Sequence, residues 1–161
     1  MPFTVRSGAT AITKTATLTV LNANGAPWFD SLEGWQVYEG LPIVFRASAT
    51  DPDNPAYVPP IRLEDGSLVD AEGGFPTLSY SASGLPADAT FDPETAIFSW
   101  LPDFDDAGAY PVTFTATDDG DGFPDPLMTI VTASITVLNF NRRPEITEFP
   151  PVVAPRDEAT N

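Results

Sequence analysis

The sequence predicts an all-β chain folded as a two-sheet β-sandwich of seven short strands. Residues 80–119 alternate apolar and polar side chains between turns rich in Gly, Pro and Asp, which is typical of short strands. A period of two with one apolar face predicts strands packed on one side. Two such faces are visible: Phe98 and Trp100, then Tyr110, Val112, Phe114 and Ala116. The 18 Pro and 11 Gly residues disfavour helices, and no helical period of useful length is present.

The same alternation locates seven strands in chain order: 36–39, 41–50, 77–82, 90–91, 97–101, 109–117 and 127–138. In the second of these strands, alternate side chains are predicted to face inward: Ile43, Phe45, Ala47 and Ala49. The side chains between them are predicted to face outward: Val44, Arg46, Ser48 and Thr50. Seven short strands of this kind are typical of a two-sheet sandwich.

An insertion at residues 55–76 interrupts the pattern between the second and third predicted strands. Residues 61–69 within it are predicted to form a hairpin that turns at Asp65-Gly66, a dipeptide that favours tight hairpin turns. A loop this long in a compact domain is usually functional or mobile.

The chain contains an internal repeat. Residues 15–28 match residues 132–145 almost position for position, at an offset of 117 residues (132 minus 15), which is typical of a tandem array. We therefore expect residues 24–141 to be one complete repeat. Residues 1–23 are expected to be the terminal strands of a preceding repeat, with Ala16, Leu18 and Val20 alternating. Residues 142–161 are expected to begin a following repeat.

The composition excludes several classes of function. The chain carries 23 acidic and 7 basic residues and no His, for a net charge of −16. Such a chain repels polyanions, so we expect no nucleic-acid partner. The absence of Cys excludes disulfides, thiolate metal sites and a cysteine nucleophile. No apolar run approaches the ~18 residues that span a bilayer, so no membrane insertion is expected.

The acidic and amide side chains concentrate in two sets of loops. The first set follows the second and sixth predicted strands, whose loops lie at the same end of such a sandwich. Asn22 and Asn24 of the preceding linker reach that end too. The loop members are Asp51, Asp53, Asn54, Asp118, Asp119 and Asp121. The second set lies at the opposite end: Glu39, Asp103, Asp105, Asp106, Asn139 and Asn141.

Each set gathers carboxylate and amide oxygens without a nitrogen ligand, which suits Ca²⁺ and its six to eight oxygen ligands. Like-charged carboxylates repel each other unless a cation lies between them. The sites would be shared across the junctions between repeats, and bound calcium would stiffen the linkers. The alternative is that Asp, Asn and Gly serve as turn formers with solvated side chains. The sequence leaves both interpretations open.

Several runs carry a family resemblance. Ala49-Thr-Asp-Pro-Asp53 resembles the Asp-x-Asp calcium element of cadherin repeats, Glu39-Gly40 resembles their first-strand Glu, and Val137-Leu-Asn-Phe-Asn-Arg-Arg-Pro144 resembles their Asn-containing linker. Gly84-Leu-Pro and residues 91–100 and 108–118 are even more similar to bacterial immunoglobulin-like and dystroglycan-type cadherin-like repeats. The resemblance covers about residues 24–145. It implies an immunoglobulin/cadherin-like seven-stranded β-sandwich.

Modules of this kind are usually strung in large secreted or cell-surface proteins as spacers, adhesins or fibre subunits. The resemblance thus implies a non-catalytic structural module outside a bacterial cell or on its surface. Its partners would be neighbouring repeats or identical subunits, or a cell-surface protein or glycan. The resemblance also implies a set of calcium ligands: Glu39, Asp51, Asp53, Asn139 and Asn141, with Asn22 and Asn24 as counterparts. Asn139 departs from the Asp of cadherins. The cadherin Asp-Arg-Glu element is absent, so Asp103, Asp105 or Asp106 would replace it.

No enzymatic activity is expected, because a hydrolase needs an acid and a base in a shared cleft, and no His, Cys or Gly-x-Ser-x-Gly motif accompanies the acids. One alternative is a carbohydrate-binding module with an exposed aromatic row: Trp28, Trp35, Tyr38 and Tyr57. The competing interpretation places Trp35 and Trp100 in the core and Trp28 over a junction. Another alternative is a fibre subunit that polymerises by strand complementation through its termini.

Overall fold

The computed structural model describes residues 2–32, 34–69 and 77–145. Those ranges contain thirteen β-strands and no helix. The strands are β1 (Pro2–Ser7), β2 (Thr10–Thr15), β3 (Trp28–Phe29), β4 (Trp35–Tyr38), β5 (Ile43–Arg46), β6 (Ala49–Thr50), β7 (Ile61–Arg62), β8 (Leu68–Val69), β9 (Leu78–Ser83), β10 (Thr90–Asp92), β11 (Ile97–Trp100), β12 (Gly108–Asp118) and β13 (Met128–Leu138). The predicted all-β class is confirmed.

Seven of these strands form the two sheets of a sandwich. The four-stranded sheet has the order β4-β13-β12-β9, and the three-stranded sheet has the order β10-β11-β5. Neighbouring strands are antiparallel, except that β4 runs parallel to β13 with Trp35 opposite Ile135. Six of the seven predicted strands lie within one residue of their predicted bounds at each end. These bounds can be predicted from the sequence because buried and exposed side chains alternate along each strand.

The inward faces of the two sheets meet in one aromatic core. The rings of Phe45 and Phe98 stack with centroids 5.0 Å apart, and Phe114 of the opposite sheet meets them edge-on at 5.8 and 6.2 Å. The predicted inward residues of the second strand are all buried: Ile43, Phe45, Ala47 and Ala49. Each large side chain removed from water in this way contributes about 1.5–3 kcal/mol to folding.

The predicted strand 41–50 is divided in two. β5 pairs with β11, whereas β6 pairs with β3. At the break, the Ala47 N–H donates to the Ala96 carbonyl at 2.8 Å, in the turn that joins β10 to β11. The chain therefore changes its pairing partner after Arg46. The sequence does not predict β3, because Trp28-Phe29 is too short to display an alternation.

The described part of the insertion lies against the sandwich. Its predicted hairpin is present as β7 and β8, with Ile61 opposite Val69. Arg62 donates to Asp92 at 2.8 Å and also pairs with Glu94. Arg46 donates to the Pro59 and Pro60 carbonyls at 3.0 and 3.2 Å. Residues 70–76 of the predicted insertion lie outside the described residues.

The N-terminal segment forms a separate hairpin of β1 and β2, in which Pro2 pairs with Thr15. Every side chain of β2 is exposed. Residues 16–27 contain no strand, so the predicted alternation through Leu18 and Val20 does not correspond to a strand, and these side chains are 83% and 84% exposed. At the other end, residues 146–161 of the predicted following repeat lie outside the described residues.

Candidate functional site

The N-terminal linker (residues 22–27) is bonded to both of the acidic loops that the sequence places at one end of the sandwich. Asn22 Nδ2 donates to Asp121 Oδ2, and Asn24 Nδ2 donates to Asp118 Oδ1 at 3.3 Å. The Gly25 N–H donates to Asp53 Oδ2 at 2.7 Å. We call this set of linker and loop residues the N-terminal pole. The linker thus contacts both loops, through Asp53 in one loop and through Asp118 and Asp121 in the other.

Asp118 organises the N-terminal pole from the end of β12. Its side chain is 5% exposed, and its Oδ1 accepts the Gly120 N–H at 2.9 Å and the Leu127 N–H at 2.8 Å besides the Asn24 amide. Its Oδ2 is buried and has no hydrogen-bond partner, and Asn24 Oδ1 is in the same situation. Two oxygens that lack a donor therefore belong to two side chains that contact each other.

Asp51 and Asp53 form the second loop of this pole. Asp51 is 3% exposed, and its Oδ1 accepts the Asp53 N–H at 2.9 Å, which folds the loop over the linker. Gly25 packs so closely here that a Cβ at this position would lie 2.7 Å from Pro52 Cγ. Asp119 and Asp121 are exposed, and Asp119 Oδ1 accepts the Asp121 N–H at 3.0 Å.

The residues of the N-terminal pole fit calcium by their chemistry. Hard cations take carboxylate and amide oxygens, and a buried oxygen without a donor is costly unless a cation or water reaches it. The described hydrogen bonds draw each carboxylate to a backbone or amide N–H. Accordingly, among the described residues no three acidic side chains come together in a metal-binding group. The orphaned oxygens of Asn24 and Asp118 are the observation that favours a bound cation.

The C-terminal pole has a different set of hydrogen bonds from the N-terminal pole. It comprises Glu39, the loop at 103–107 and the C-terminal linker at residues 139–144. Glu39 is 3% exposed, and its two oxygens accept the Ala107 N–H at 3.1 Å and the Phe140 N–H at 2.9 Å. The structure thus uses Glu39 to fix the linker to the domain through backbone donors.

The other predicted ligands of the C-terminal pole do not gather around Glu39. Asp103, Asp105, Asn139 and Asn141 are exposed, and the Asp103 N–H donates to Asp106 Oδ2 at 2.7 Å. The linker is held instead by two aromatic contacts that the sequence does not predict. Arg142 lies over the Phe104 ring at 3.6 Å from its centroid, and Tyr38 meets Phe140 edge-on at 6.4 Å.

Of the four predicted aromatic ligand-binding residues, Trp28, Trp35 and Tyr38 are exposed and Tyr57 is buried. Tyr57 is only 8% exposed and packs in a small second core with Leu78, Tyr80 and Ala96, so its prediction as an exposed ring is corrected. Trp35 stacks on Phe45 with centroids 4.6 Å apart. Trp28 pairs with Thr50 beside the N-terminal pole, whereas Tyr38 lies at the C-terminal pole.

Several groups with displaced pKa values lie where the insertion meets the sandwich. Hydrogen bonding from Arg62 lowers the pKa of Asp92 to about 2. Burial raises the pKa of Tyr80 to about 12, and its hydroxyl lies 3.3 Å from both the N–H and the carbonyl of Ala49. Burial also raises the pKa of Tyr57. These groups have structural roles, because each is hydrogen-bonded to a neighbouring strand or buried among apolar side chains.

One signal in the sequence locates Asp118 as a buried residue. It shares the parity of Val112, Phe114 and Ala116 on β12, all of which face the core. By contrast, the sequence does not predict that the N–H groups of Gly25 and Leu127 donate to carboxylates of this pole, because every non-proline residue has such a donor.

Together, the seven strands in two sheets and the linker bonded to the loops at one end define the class of protein as an immunoglobulin-like β-sandwich module. Residues 42–137 match the family described as "Putative Ig domain" (He_PIG). The chain belongs to this family.

Similarity to solved structures is broad and weak. The mouse cadherin-23 fragment EC22–24 is 18% identical with a TM-score of 0.43, over 71% of this chain and 31% of that one. A nucleoside hydrolase-related hypothetical protein from Saccharophagus degradans, described as associated with carbohydrate metabolism, is 17% identical with a TM-score of 0.47, over 72% and 26%. An endo-fucoidan hydrolase of glycoside hydrolase family 107 is 20% identical with a TM-score of 0.41, over 87% and 18%.

The chain therefore spans less than a third of the length of these structures. Similarity at this level assigns none of their activities to it. No curated protein matches the chain. None of the described residues belongs to a helix that could span a bilayer.

Proposed function

We propose that this chain is a non-catalytic structural repeat of an extracellular or cell-surface protein, and that its N-terminal pole binds calcium and so stiffens the junction to the preceding repeat. The observation that carries the proposal is the bonding of one linker to two acidic loops, together with the partnerless oxygens of Asn24 in the linker and Asp118 in one loop. A cation at those oxygens would hold linker and loops in one arrangement.

Electrostatics supports calcium at this place. Asp51 and Asp118 are almost fully buried in a chain with a net charge of −16. A buried carboxylate without a basic partner is costly, and a divalent cation beside it lowers that cost. Asp53, Asp119 and Asp121 add further carboxylates at the rim.

The internal repeat extends the proposal to the C-terminal pole. Asn139 and Asn141 correspond to Asn22 and Asn24 at the offset of 117 residues, and both are exposed. We assign them as linker ligands for the N-terminal pole of a following repeat. Glu39 and Phe104 would hold the other side of the same linker through Phe140 and Arg142. Each linker would thus be fixed to the domain behind it by protein contacts and to the domain ahead of it by calcium.

A second observation supports tandem packing. Leu18 and Val20 are almost fully exposed, although their equivalents Ile135 and Val137 are buried in the core. Apolar side chains that are exposed here but buried at the equivalent positions of the repeat would be covered if this segment packed into another sandwich. The same observation favours a second candidate function, in which this segment completes a sandwich of another subunit and builds a fibre. Deleting residues 2–21 would leave only monomers if that candidate is right, and fibres that persist after the deletion would rule it out.

The proposed calcium site is tested by thermal unfolding of the full chain in millimolar calcium and in chelator, at constant ionic strength. A ligand that binds only the folded state adds about 2.7 kcal/mol at a hundredfold excess over its dissociation constant. We expect a rise in midpoint with calcium, a smaller rise with magnesium, and loss of the calcium response in Asp51→Asn combined with Asp53→Asn. Asp88→Asn in an exposed turn away from the pole is the matched control. An identical midpoint with calcium and with chelator would contradict the proposal.

A further inference from the structure

We propose that Asn24 and Gly25 form a self-modification site at the N-terminal pole, and that docking of the linker suppresses the reaction. In an Asn-Gly pair the Gly nitrogen can attack the Asn Cγ. The N–Cγ bond forms, the Cγ–Nδ2 bond breaks, and Nδ2 leaves as ammonia with the one proton that the Gly nitrogen gives up. Water then opens the five-membered imide at either carbonyl and leaves Asp or isoaspartate. Asn24-Gly25 is the only Asn-Gly pair in the sequence.

The structure explains why this labile pair stands in the linker. Residue 25 must be Gly, because a Cβ there would meet Pro52 Cγ at 2.7 Å and Asp53 Oδ2 at 3.4 Å. Residue 24 needs an amide, because its Nδ2 donates to the buried Asp118 carboxylate. The absence of a Cβ on Gly25 also removes the steric hindrance that slows the attack at other Asn residues.

The docked linker opposes the reaction in two ways. The Gly25 nitrogen attacks only after it loses its proton, and that N–H donates to Asp53 Oδ2 at 2.7 Å. A carboxylate at this distance disfavours a negative charge on the nitrogen. In addition, the bond from Asn24 Nδ2 to Asp118 holds the Asn24 side chain in place. The reaction therefore requires the linker to leave the N-terminal pole.

The product changes what holds the linker. When Asn24 becomes Asp, the hydrogen bond to Asp118 Oδ1 is replaced by a contact between two carboxylates, one of which already has a partnerless buried oxygen. Like charges at this separation repel unless a cation lies between them. The modified linker then docks only with a divalent cation, and this second step alone rests on the proposed calcium site.

The first test follows the mass of the peptide around Asn24 while the full chain is incubated in chelator at mildly alkaline pH. Asn141-Arg142, the equivalent pair in the C-terminal linker, is the internal comparison. We expect Asn24 to react at least about tenfold more slowly in the folded chain than in urea, because only the undocked fraction reacts. Asp53→Asn should raise the folded-state rate, while the rate at Asn141 stays low. Equal rates at Asn24 in the folded and unfolded chain would overturn the proposal, as would an unchanged rate in Asp53→Asn.

The second test uses Asn24→Asp, with Gln36→Glu as the matched control, since Gln36 is exposed on β4 and undergoes the same change from amide to carboxylate. In chelator, Asn24→Asp should unfold at a lower temperature than Gln36→Glu, and calcium should raise its midpoint more than that of the unmodified chain. If Asn24→Asp and Gln36→Glu have equal midpoints in chelator, the proposal that an Asp at residue 24 weakens docking of the linker is overturned. A clear drop in chelator together with an equal calcium response would contradict only the cation-dependent step. Because the reaction at Asn24 is measured without calcium, its result stands apart from the proposed function.

Discussion

Asp118 holds together the linker, its own loop and the residue before β13, and Asp118→Ala tests this role. Asp118 Oδ1 accepts the Gly120 and Leu127 N–H groups at 2.9 and 2.8 Å. Hydrogen bonds to a charged group contribute about 1.5–3 kcal/mol each, so losing both costs about 3–6 kcal/mol. Removing the partnerless Oδ2 offsets part of that loss. We expect the free energy of unfolding to fall by about 3 kcal/mol.

The assay is equilibrium unfolding in urea, followed by tryptophan fluorescence with Trp100 as a buried reporter. Asp118→Asn keeps an acceptor oxygen for both backbone donors, so it should cost only about 1 kcal/mol. Asp125→Ala removes an exposed acid from the same loop and should change stability by less than about 0.5 kcal/mol. A loss of less than about 1 kcal/mol in Asp118→Ala would contradict this role of the carboxylate.

Three further predictions concern the insertion, the second core and the C-terminal linker. The pKa of Asp92 is about 2 when folded, below its unfolded value, so its contribution to stability is present above about pH 4 and is lost as the pH falls towards 2. Asp92→Asn should therefore lose less stability than the unaltered chain over that interval in acid titrations of unfolding, and equal losses would contradict this. The pKa of Tyr80 is raised to about 12, so its contribution is full below about pH 10 and is lost as the pH rises through 12. Tyr80→Phe should flatten that alkaline loss in thermal unfolding, and an alkaline loss unchanged in Tyr80→Phe would contradict this. Finally, Gly40→Ala places a Cβ 2.7 Å from Phe104 Cζ at a φ of +75°, which should cost about 1 kcal/mol or more. Faster hydrogen exchange at the Phe140 amide would follow, and unchanged exchange would count against the role of Phe104.

The sheets are predictable because burial in a sandwich alternates along each strand. Phe98 and Trp100 on β11 and Val112 and Phe114 on β12 carry that alternation without interruption, and all four are buried. The break between β5 and β6 is not predictable in the same way. It depends on the carbonyl of Ala96, a residue distant in sequence, and a backbone acceptor leaves no mark on the alternation.

At the two poles the sequence predicts which residue types are present, but not which hydrogen bonds their carboxylates accept. Both poles have similar sets of Asp, Glu and Asn in the sequence, so the same prediction applies to each. In the structure, Glu39 has a backbone donor for each oxygen, whereas Asp118 has one oxygen with none. Which N–H groups surround a carboxylate depends on the path of the backbone, and residue types do not encode that path directly.

The aromatic residues make the same point. Trp100 follows the alternation and is buried, but Tyr57 lies in the insertion, where no periodic pattern assigns it a face. It is buried against Leu78, Tyr80 and Ala96, residues distant in sequence that no local pattern connects to it.

A calcium titration followed by amide chemical shifts tests whether calcium binds at the N-terminal pole. We expect saturable, calcium-specific shifts at Asn24, Gly25 and Asp53 and around Gly120, with the amides of Ala107 and Phe140 at the C-terminal pole unaffected. Shifts confined to the C-terminal pole, or uniform small shifts that magnesium and sodium reproduce, would contradict it.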